Sequence, residues 1–360
     1  VPASATSTES GRSLPAARHA ALVAAVQRNC DLADAHHADG KSLCTYLLGM
    51  REYFRWETGL PLGQSPERAR LSGWIAERES RWEAMRDEGA TFVPLPLADG
   101  LDPFDEASVN ECIAGERLAY GAGIGLFGAP LFFLGECRLR LARDGARVIV
   151  AGDELARGFN APPAVSRGGL VIVRLDALRR WLWTRVETAR HGPPGQAFVT
   201  ALRAYGDPEQ PATVERMAEG ETETLILHEL GELQATALLG PDWESMLAGV
   251  EDRRTELVVR AVRDLLADCL VTLPRLVEAR AEPSLHFWLA GFDGLRRSLA
   301  PALALAFGRR PQPLDLLAVD RAARVGRKSW SAVAHDLLSA WQRGGHPALR
   351  QRVATLTPSR

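Results

Sequence analysis

The stretch Cys137-Arg138-Leu139-Arg140-Leu141-Ala142-Arg143-Asp144-Gly145-Ala146-Arg147-Val148-Ile149-Val150-Ala151 decides the fold class. Cys137, Leu139 and Leu141 alternate with Arg138, Arg140 and Ala142, the period of two that puts every second side chain on one face of a strand. Arg143-Asp144-Gly145 is a hairpin signal, because Asp-Gly tolerates the positive φ that tight two-residue turns demand. Paired strands are therefore expected at 130–141 and 146–151, with another at 169–175. Just upstream, Leu118 to Gly135 carries no formal charge but is interrupted by Gly121, Gly123, Gly125, Gly128 and Pro130. A membrane span should be longer and less broken, so this segment reads as a glycine-rich turn leading into a buried strand.

Both flanks read as helical. Leu22, Val26 and Leu32 set a helical period over 17–38, closed by the stop signal Ala38-Asp39-Gly40. Further helices are expected over 42–58, 66–87 and 107–119, with a proline-rich loop at 89–105. Downstream, Asp176 caps a helix running to about 190. From Phe198 onward the chain is mainly helical, with breaks near Pro208, Gly240-Pro241, Pro283, Pro301 and Pro311. The expected class is α+β, predominantly helical, with a small antiparallel β-hairpin or meander in the middle of the chain. The expected organisation is a disordered tail (1–16), an N-terminal helical region (17–120), a sheet with helices (121–305) and a C-terminal helical region (306–360).

Across 360 residues, 43 basic side chains face 45 acidic ones, a formal charge of −2. That excludes nucleic-acid binding through bulk positive charge. Only Lys41 and Lys328 are lysines; the excess of arginine beside abundant alanine reflects a compositional bias before it reflects phosphate clamps. The five cysteines are widely spaced with no C-x-x-C, which excludes a zinc ribbon and a disulfide scaffold and points to reduced thiols in a cytoplasmic protein. Val1 to Pro15 has no apolar core, so no signal peptide is expected, and no membrane association. There is no G-x-x-x-x-G-K-[ST] and no G-x-S-x-G, and Gly121-Ala122-Gly123-Ile124-Gly125 lacks the strand-before, helix-after context of a dinucleotide fingerprint. The Trp181-Leu182-Trp183 helix with Arg179, Arg180 and Arg185 is basic and aromatic, a pattern that packing against the hairpin explains or that an anionic partner would use.

Two polar clusters remain. In the first, Cys30, Asp34 and His37 share a helical face, offering thiolate, carboxylate and imidazole as metal ligands or forming a helix-end charge network. The following helix carries Cys44, Arg51 and Arg55 in one stripe, with the arginines as candidates for binding an acidic group or for salt bridging between helices. In the second, Leu225-Ile226-Leu227-His228-Glu229-Leu230-Gly231-Glu232-Leu233 is a helix apolar around most of its circumference that nevertheless carries His228, Glu229 and Glu232. A buried carboxylate without a partner costs several kcal/mol, so each of these groups needs one: a metal ion, an arginine or each other. Asp264 and Asp268 on a later helix are candidate further ligands, and His286 a candidate substrate contact.

The run His228-Glu229-Leu230-Gly231-Glu232 resembles the zincin helix H-E-x-x-H, departing at Glu232, which stands where that family has its second histidine. The resemblance implies His228 and Glu232 as ligands of one zinc-like divalent ion and Glu229 as the general base. More widely, Asn29-Cys30-Asp31, Cys44-Thr45-Tyr46-Leu47-Leu48, Met50-Arg51-Glu52-Tyr53 with Arg55-Trp56-Glu57, and Leu225 to Glu232 resemble the blocks of an uncharacterised family of soluble bacterial proteins. That resemblance implies a bacterial cytoplasmic protein and no particular chemistry.

The leading expectation is thus a metal-dependent hydrolase centred on the 222–239 helix, acting on an unknown small molecule or protein. The alternatives are a binding or assembly protein whose polar clusters are buried interhelical ion pairs, or a sensor of an anion or oxidant built on Cys30, Cys44 and Arg51.

Overall fold

The computed structural model describes residues 14–38, 42–98, 100–189, 195–308 and 314–357. The expected stop at Asp39-Gly40, the break at Pro311 and most of the expected tail lie outside the described residues. In chain order the elements are α1 Ala16–His37, α2 Leu43–Glu57, α3 Arg68–Asp87, α4 Glu106–Cys112, β1 Leu118–Ile124, β2 Pro130–Arg143, β3 Ala146–Arg157, β4 Ala164–Arg167 and β5 Leu170–Arg174. Then come α5 Leu175–Ala189, α6 Gln196–Arg203, α7 Pro211–Gly220, α8 Thr222–Leu239, α9 Pro241–Ala248 and α10 Arg253–Ala267. A π turn, Asp268–Thr272, leads into α11 Leu273–Glu278, α12 Glu282–Gly291, α13 Gly294–Leu299, α14 Pro301–Ala306 and α15 Leu316–Leu356. The protein is α+β and helix-dominated, with its sheet in the middle of the chain, as the sequence predicts.

The sheet has five strands in the order β1-β2-β3-β5-β4, with β1–β2 and β4–β5 antiparallel. The turn between β2 and β3 falls on Asp144 (φ +48°) and Gly145 (φ +81°), the left-handed pair its sequence demands. Two strands depart from the sequence reading. The helix expected to reach about 119 ends at Cys112, and the glycine-rich segment opens with strand β1 rather than a turn. Asn110 is the reason on one side: its amide donates to the Tyr120 carbonyl at 2.7 Å and accepts from the Tyr120 N–H at 3.2 Å. Phe133 is the reason on the other: it pairs with Gly121, and a Cβ there would lie 2.0 Å from its ring. The short strand β4 is too brief to show a period of its own in the sequence; Gly168 and Gly169, both at positive φ, mark its turn into β5.

The chain forms two compact units. Unit 1 comprises the residues up to Leu141 with Ile149–Pro163 and Arg174–Arg180; unit 2 comprises Ala142–Val148, Ala164–Val173 and Trp181 onward. The core of unit 1 joins Leu22, Val26 and Cys30 of α1 to Val109 of α4, Tyr120 of β1 and Phe132 and Leu134 of β2. The core of unit 2 packs Ala235 and Leu239 of α8 and Trp243 of α9 against Val259, Val262 and Leu266 of α10 and Ala334 and Leu337 of α15. α10 starts cleanly because the Asp252 carboxylate accepts from the Thr255 N–H at 2.9 Å.

Candidate functional site

In unit 2, α8 brings the second polar cluster together. His228 Nδ1 lies 2.8 Å from Asp268 Oδ1, and His228 Nε2 lies 3.4 Å from Glu232 Oε1, one helical turn on. The other oxygen of Glu232 meets Arg263 Nη2 at 2.6 Å and accepts from the Ser166 hydroxyl of β4 at 3.5 Å. Arg263 also lies 3.3 Å from Asp264, and Arg296 of α13 lies 3.6 Å from the second oxygen of Asp268. Asp268 is fully buried, whereas the His228 side chain is 25% exposed and so reachable from solvent.

Two backbone features make this possible. A Cβ on Gly231 would lie 2.7 Å from the Ala267 carbonyl oxygen, so only glycine lets α8 come this close to the end of α10. There α10 passes into the π turn at Asp268, the kind of local widening that re-aims side chains at functional sites.

The charges follow from burial and neighbours. Burial alone would lower the His228 pKa, but Asp268 and Glu232 outweigh it and hold the imidazole protonated well above its ordinary range. Burial would raise Glu232, yet Arg263 and His228 keep it ionised far below the usual carboxylate range. Glu229 is 6% exposed; burial and then the Glu232 charge push its carboxyl up to about 8. Burial and the Glu232 charge also push Asp264 up to about 6. Two carboxyls three residues apart on one helix are thus held in opposite protonation states beside a charged histidine.

For a metal, the 3.4 Å between His228 Nε2 and Glu232 Oε1 is close to the separation of about 3.3 Å between two ligands of a tetrahedral ion with bonds of about 2.0–2.1 Å. Asp268, on Nδ1, would orient the imidazole as the outer carboxylate of such sites does. Against this, Arg263 sets a fixed positive charge on Glu232, and among the described residues no three His, Cys, Asp or Glu side chains are gathered to hold an ion.

The first cluster, in unit 1, is spent on packing. Cys30 donates its S–H to the Phe132 carbonyl at 3.1 Å and is fully buried, and burial pushes its thiol up. Asp31 accepts from Arg78 at 2.9 Å, while Arg78 stacks over Tyr53 and Trp74 and also meets Glu57. Asp34 accepts from the Phe159 N–H at 2.7 Å, fixing the end of β3. His37 and Cys44 are exposed. Arg51 lies 3.2 Å from Glu52, and the buried Arg55 lies 2.7 Å from the same carboxylate. Cys30, Asp34 and His37 therefore share a helical face without sharing a partner.

Burial pushes the Asp34 carboxyl up to about 8, so the folded state holds a proton that the unfolded chain releases above about 4. Its stabilising contribution is complete below pH 4 and is lost as pH rises to 8. Asp34→Asn mimics the protonated form and keeps the acceptor for Phe159. It is expected to raise stability at pH 8 by about 1 kcal/mol or more and to flatten the slope between pH 5 and 8. Urea unfolding at several pH values checks this; an unchanged slope would mean the carboxyl is ionised in place.

Ser166, Arg263 and Arg296 were not legible as site residues, because nothing in their local sequence ties β4 or α13 to α8. His286 lies on α12, with its Nδ1 buried and without a hydrogen-bond partner among the described residues. Among the described residues no helix is long and apolar enough to cross a membrane. No curated protein and no solved structure matches the chain. Two family models do: the N-terminal domain of a family of unknown function, DUF6866, over residues 21–174, and its C-terminal domain over residues 179–359. The resemblance to a family without assigned activity is met at that level, and the chain belongs to the DUF6866 family of unknown function.

Proposed function

We propose that the protein is a hydrolase whose acid–base centre is the Asp268–His228–Glu232 string with Glu229 beside it. The observation that carries this reading is a solvent-reachable imidazole held 2.8 Å from one carboxylate and 3.4 Å from another, on the same helix as the buried Glu229 carboxyl, which burial and the Glu232 charge push up to about 8. Paired groups driven to opposite protonation states are the pattern of an acid–base pair, and a base works best when its pKa lies near the ambient pH. In this reading Glu229, once ionised, takes a proton from water as the water attacks the substrate. His228 gives its proton to the leaving group. Asp268 orients the imidazole, and Arg263 stabilises negative charge that develops.

The test is a panel of chromogenic ester, amide and phosphoester substrates. Turnover is expected to rise with pH through an apparent value near 8, set by the coupled Glu229–Glu232 pair. His228→Asn and Glu229→Gln are each expected to lower it about 10²- to 10⁴-fold with the fold intact by circular dichroism. Variants as active as the parent would sink the proposal. A divalent ion held by His228 and Glu232 is the alternative version that their 3.4 Å spacing admits; such an ion would supply Lewis-acid activation of water. Metal analysis after purification without chelator distinguishes the two versions, since the ion must disappear in Glu232→Ala.

A second reading, a non-enzymatic binding or assembly protein, is favoured by the ion pairs Glu232–Arg263 and Asp268–Arg296, which link separate helices of unit 2. It expects no turnover on any substrate class and the same loss of stability from Glu232→Gln at all pH values where the carboxylate is ionised.

A further inference from the structure

We propose that the Ser166 hydroxyl is the nucleophile of the α8 centre and that a neutral carboxylic ester is its substrate class. The inference rests on the hydrolase reading above and places a covalent step ahead of the attack by water.

A serine hydroxyl is a weak nucleophile unless a base within hydrogen-bond reach takes its proton. Within unit 2, β4 holds Ser166 against α8, where its Oγ donates to Glu232 Oε2 at 3.5 Å and also hydrogen-bonds the Glu229 carboxyl. Glu229 and Glu232 stand three residues apart on one face of α8, so the hydroxyl is shared between two carboxyls on neighbouring turns. Glu232 is already engaged by Arg263 at 2.6 Å and by His228 at 3.4 Å, which leaves Glu229 to receive the proton. Nucleophile, acid and Arg263 thus meet at one carboxylate. Ser166 is half-buried and the His228 side chain is 25% exposed, so a substrate can reach both. The backbone adds a donor. β4 is the outermost strand, and the Arg174 N–H donates to the Pro163 carbonyl at 2.8 Å, which sets the alternation of the β4–β5 ladder. Val165 and Arg167 therefore bond to β5 through the main chain, while the Ser166 N–H points away from it. The N–H of the attacking residue can then donate to the oxyanion that forms on the attacked carbonyl, together with Arg263. An anionic phosphoester would have to approach Oγ past the Glu232 carboxylate, whereas an ester carbonyl is neutral until attacked.

In the first step Glu229 takes the Oγ proton as Oγ bonds to the ester carbonyl carbon. The tetrahedral intermediate collapses, the bond to the leaving oxygen breaks, and that oxygen takes the His228 proton. The products of this step are acyl-Ser166 and a free alcohol. In the second step water bonds to the acyl carbon and gives a proton to the neutral His228, while Oγ departs with the proton held by Glu229. Both residues return to their starting charge, and the net change is ester plus water to acid plus alcohol.

The experiment treats the whole chain with an alkyl fluorophosphonate, maps the adduct by mass spectrometry, and follows p-nitrophenyl acetate hydrolysis by stopped flow. The expected result is a single adduct on Ser166 and a burst of p-nitrophenol of about one equivalent per chain, the mark of an accumulating acyl-enzyme. Ser166→Ala is expected to lose both, and Glu229→Gln to label at least about a hundredfold more slowly. The mapping on the parent chain needs no variant to fold. An adduct elsewhere, or none, overturns the nucleophile. Ester turnover without a burst, unchanged in Ser166→Ala, leaves the hydrolase reading standing with water as the direct nucleophile and overturns this one. Labelling of Ser166 with no ester turned over keeps the nucleophile and overturns the hydrolase reading.

Discussion

Gly231→Val is expected to cost about 3 kcal/mol and to dismantle the α8 centre. Two effects compete at this position. Replacing a mid-helix glycine gains up to about 1 kcal/mol in helix propensity. The new Cβ, however, meets the backbone of Ala267: its oxygen at 2.7 Å, its carbonyl carbon at 3.1 Å and its Cα at 3.3 Å. A side chain can rotate away from such a clash, but a main chain at a helix end cannot, and overpacking of this kind costs about 1–3 kcal/mol or more. The clash therefore wins, and α8 must move off α10. Asp268 follows immediately after Ala267, so the 2.8 Å bond to His228 should break with it. Urea unfolding measures the first consequence. The second appears as a fall in the His228 pKa by NMR, because burial without Asp268 favours the neutral ring. A stable variant with an unshifted His228 would show that the clash is absorbed without moving α8 away from Asp268.

The second large effect is expected in unit 1, at Glu154. Its side chain is fully buried; Arg174 Nε lies 2.6 Å from one oxygen and Arg157 Nη1 3.4 Å from the other, with the two arginine side chains 3% and 5% exposed. Burial would raise the carboxyl, but Arg174 and Arg157 together hold it below its ordinary range. Glu154→Met removes the one anion and leaves two desolvated cations, a change expected to cost about 3–5 kcal/mol. In urea the midpoint should fall with little change in slope. Because the folded carboxylate is stabilised, the parent should also lose this contribution as pH falls through the folded pKa of Glu154, and the variant should not. A loss under about 1 kcal/mol would mean that water reaches the two guanidinium groups and screens them.

These two positions mark where sequence reasoning succeeds and where it stops. Gly231 stands out in the sequence as a costly mid-helix glycine, which points to a close approach without naming the neighbour. Glu154 does not stand out at all: it sits in an ordinary strand, and its partners lie 3 and 20 residues away. The same contrast holds in the candidate site. His228, Glu229 and Glu232 are conspicuous because polar groups on an apolar helix must find partners. Ser166, Arg263 and Arg296 are inconspicuous because each belongs to a different element whose own pattern is unremarkable. Cys30, Asp34 and His37 show the converse: their shared helical face left a common ligand and a charge network both open, and in the fold Cys30 meets a β2 carbonyl and Asp34 the Phe159 N–H just past β3.

By itself the sequence determined the local elements. The alternation around Asp144-Gly145 made a hairpin, the apolar periods made helices, and the groups on α8 had to be compensated, because period, turn chemistry and desolvation are properties of neighbouring residues. Only the tertiary structure decided who compensates whom. Gly121 makes a strand because Phe133 lies across it, and Glu232 is ionised because Arg263 comes from another helix. The charge balance of the α8 cluster is of this second kind. A pKa depends on the charges and solvent within a few ångströms, and chain folding alone sets those distances.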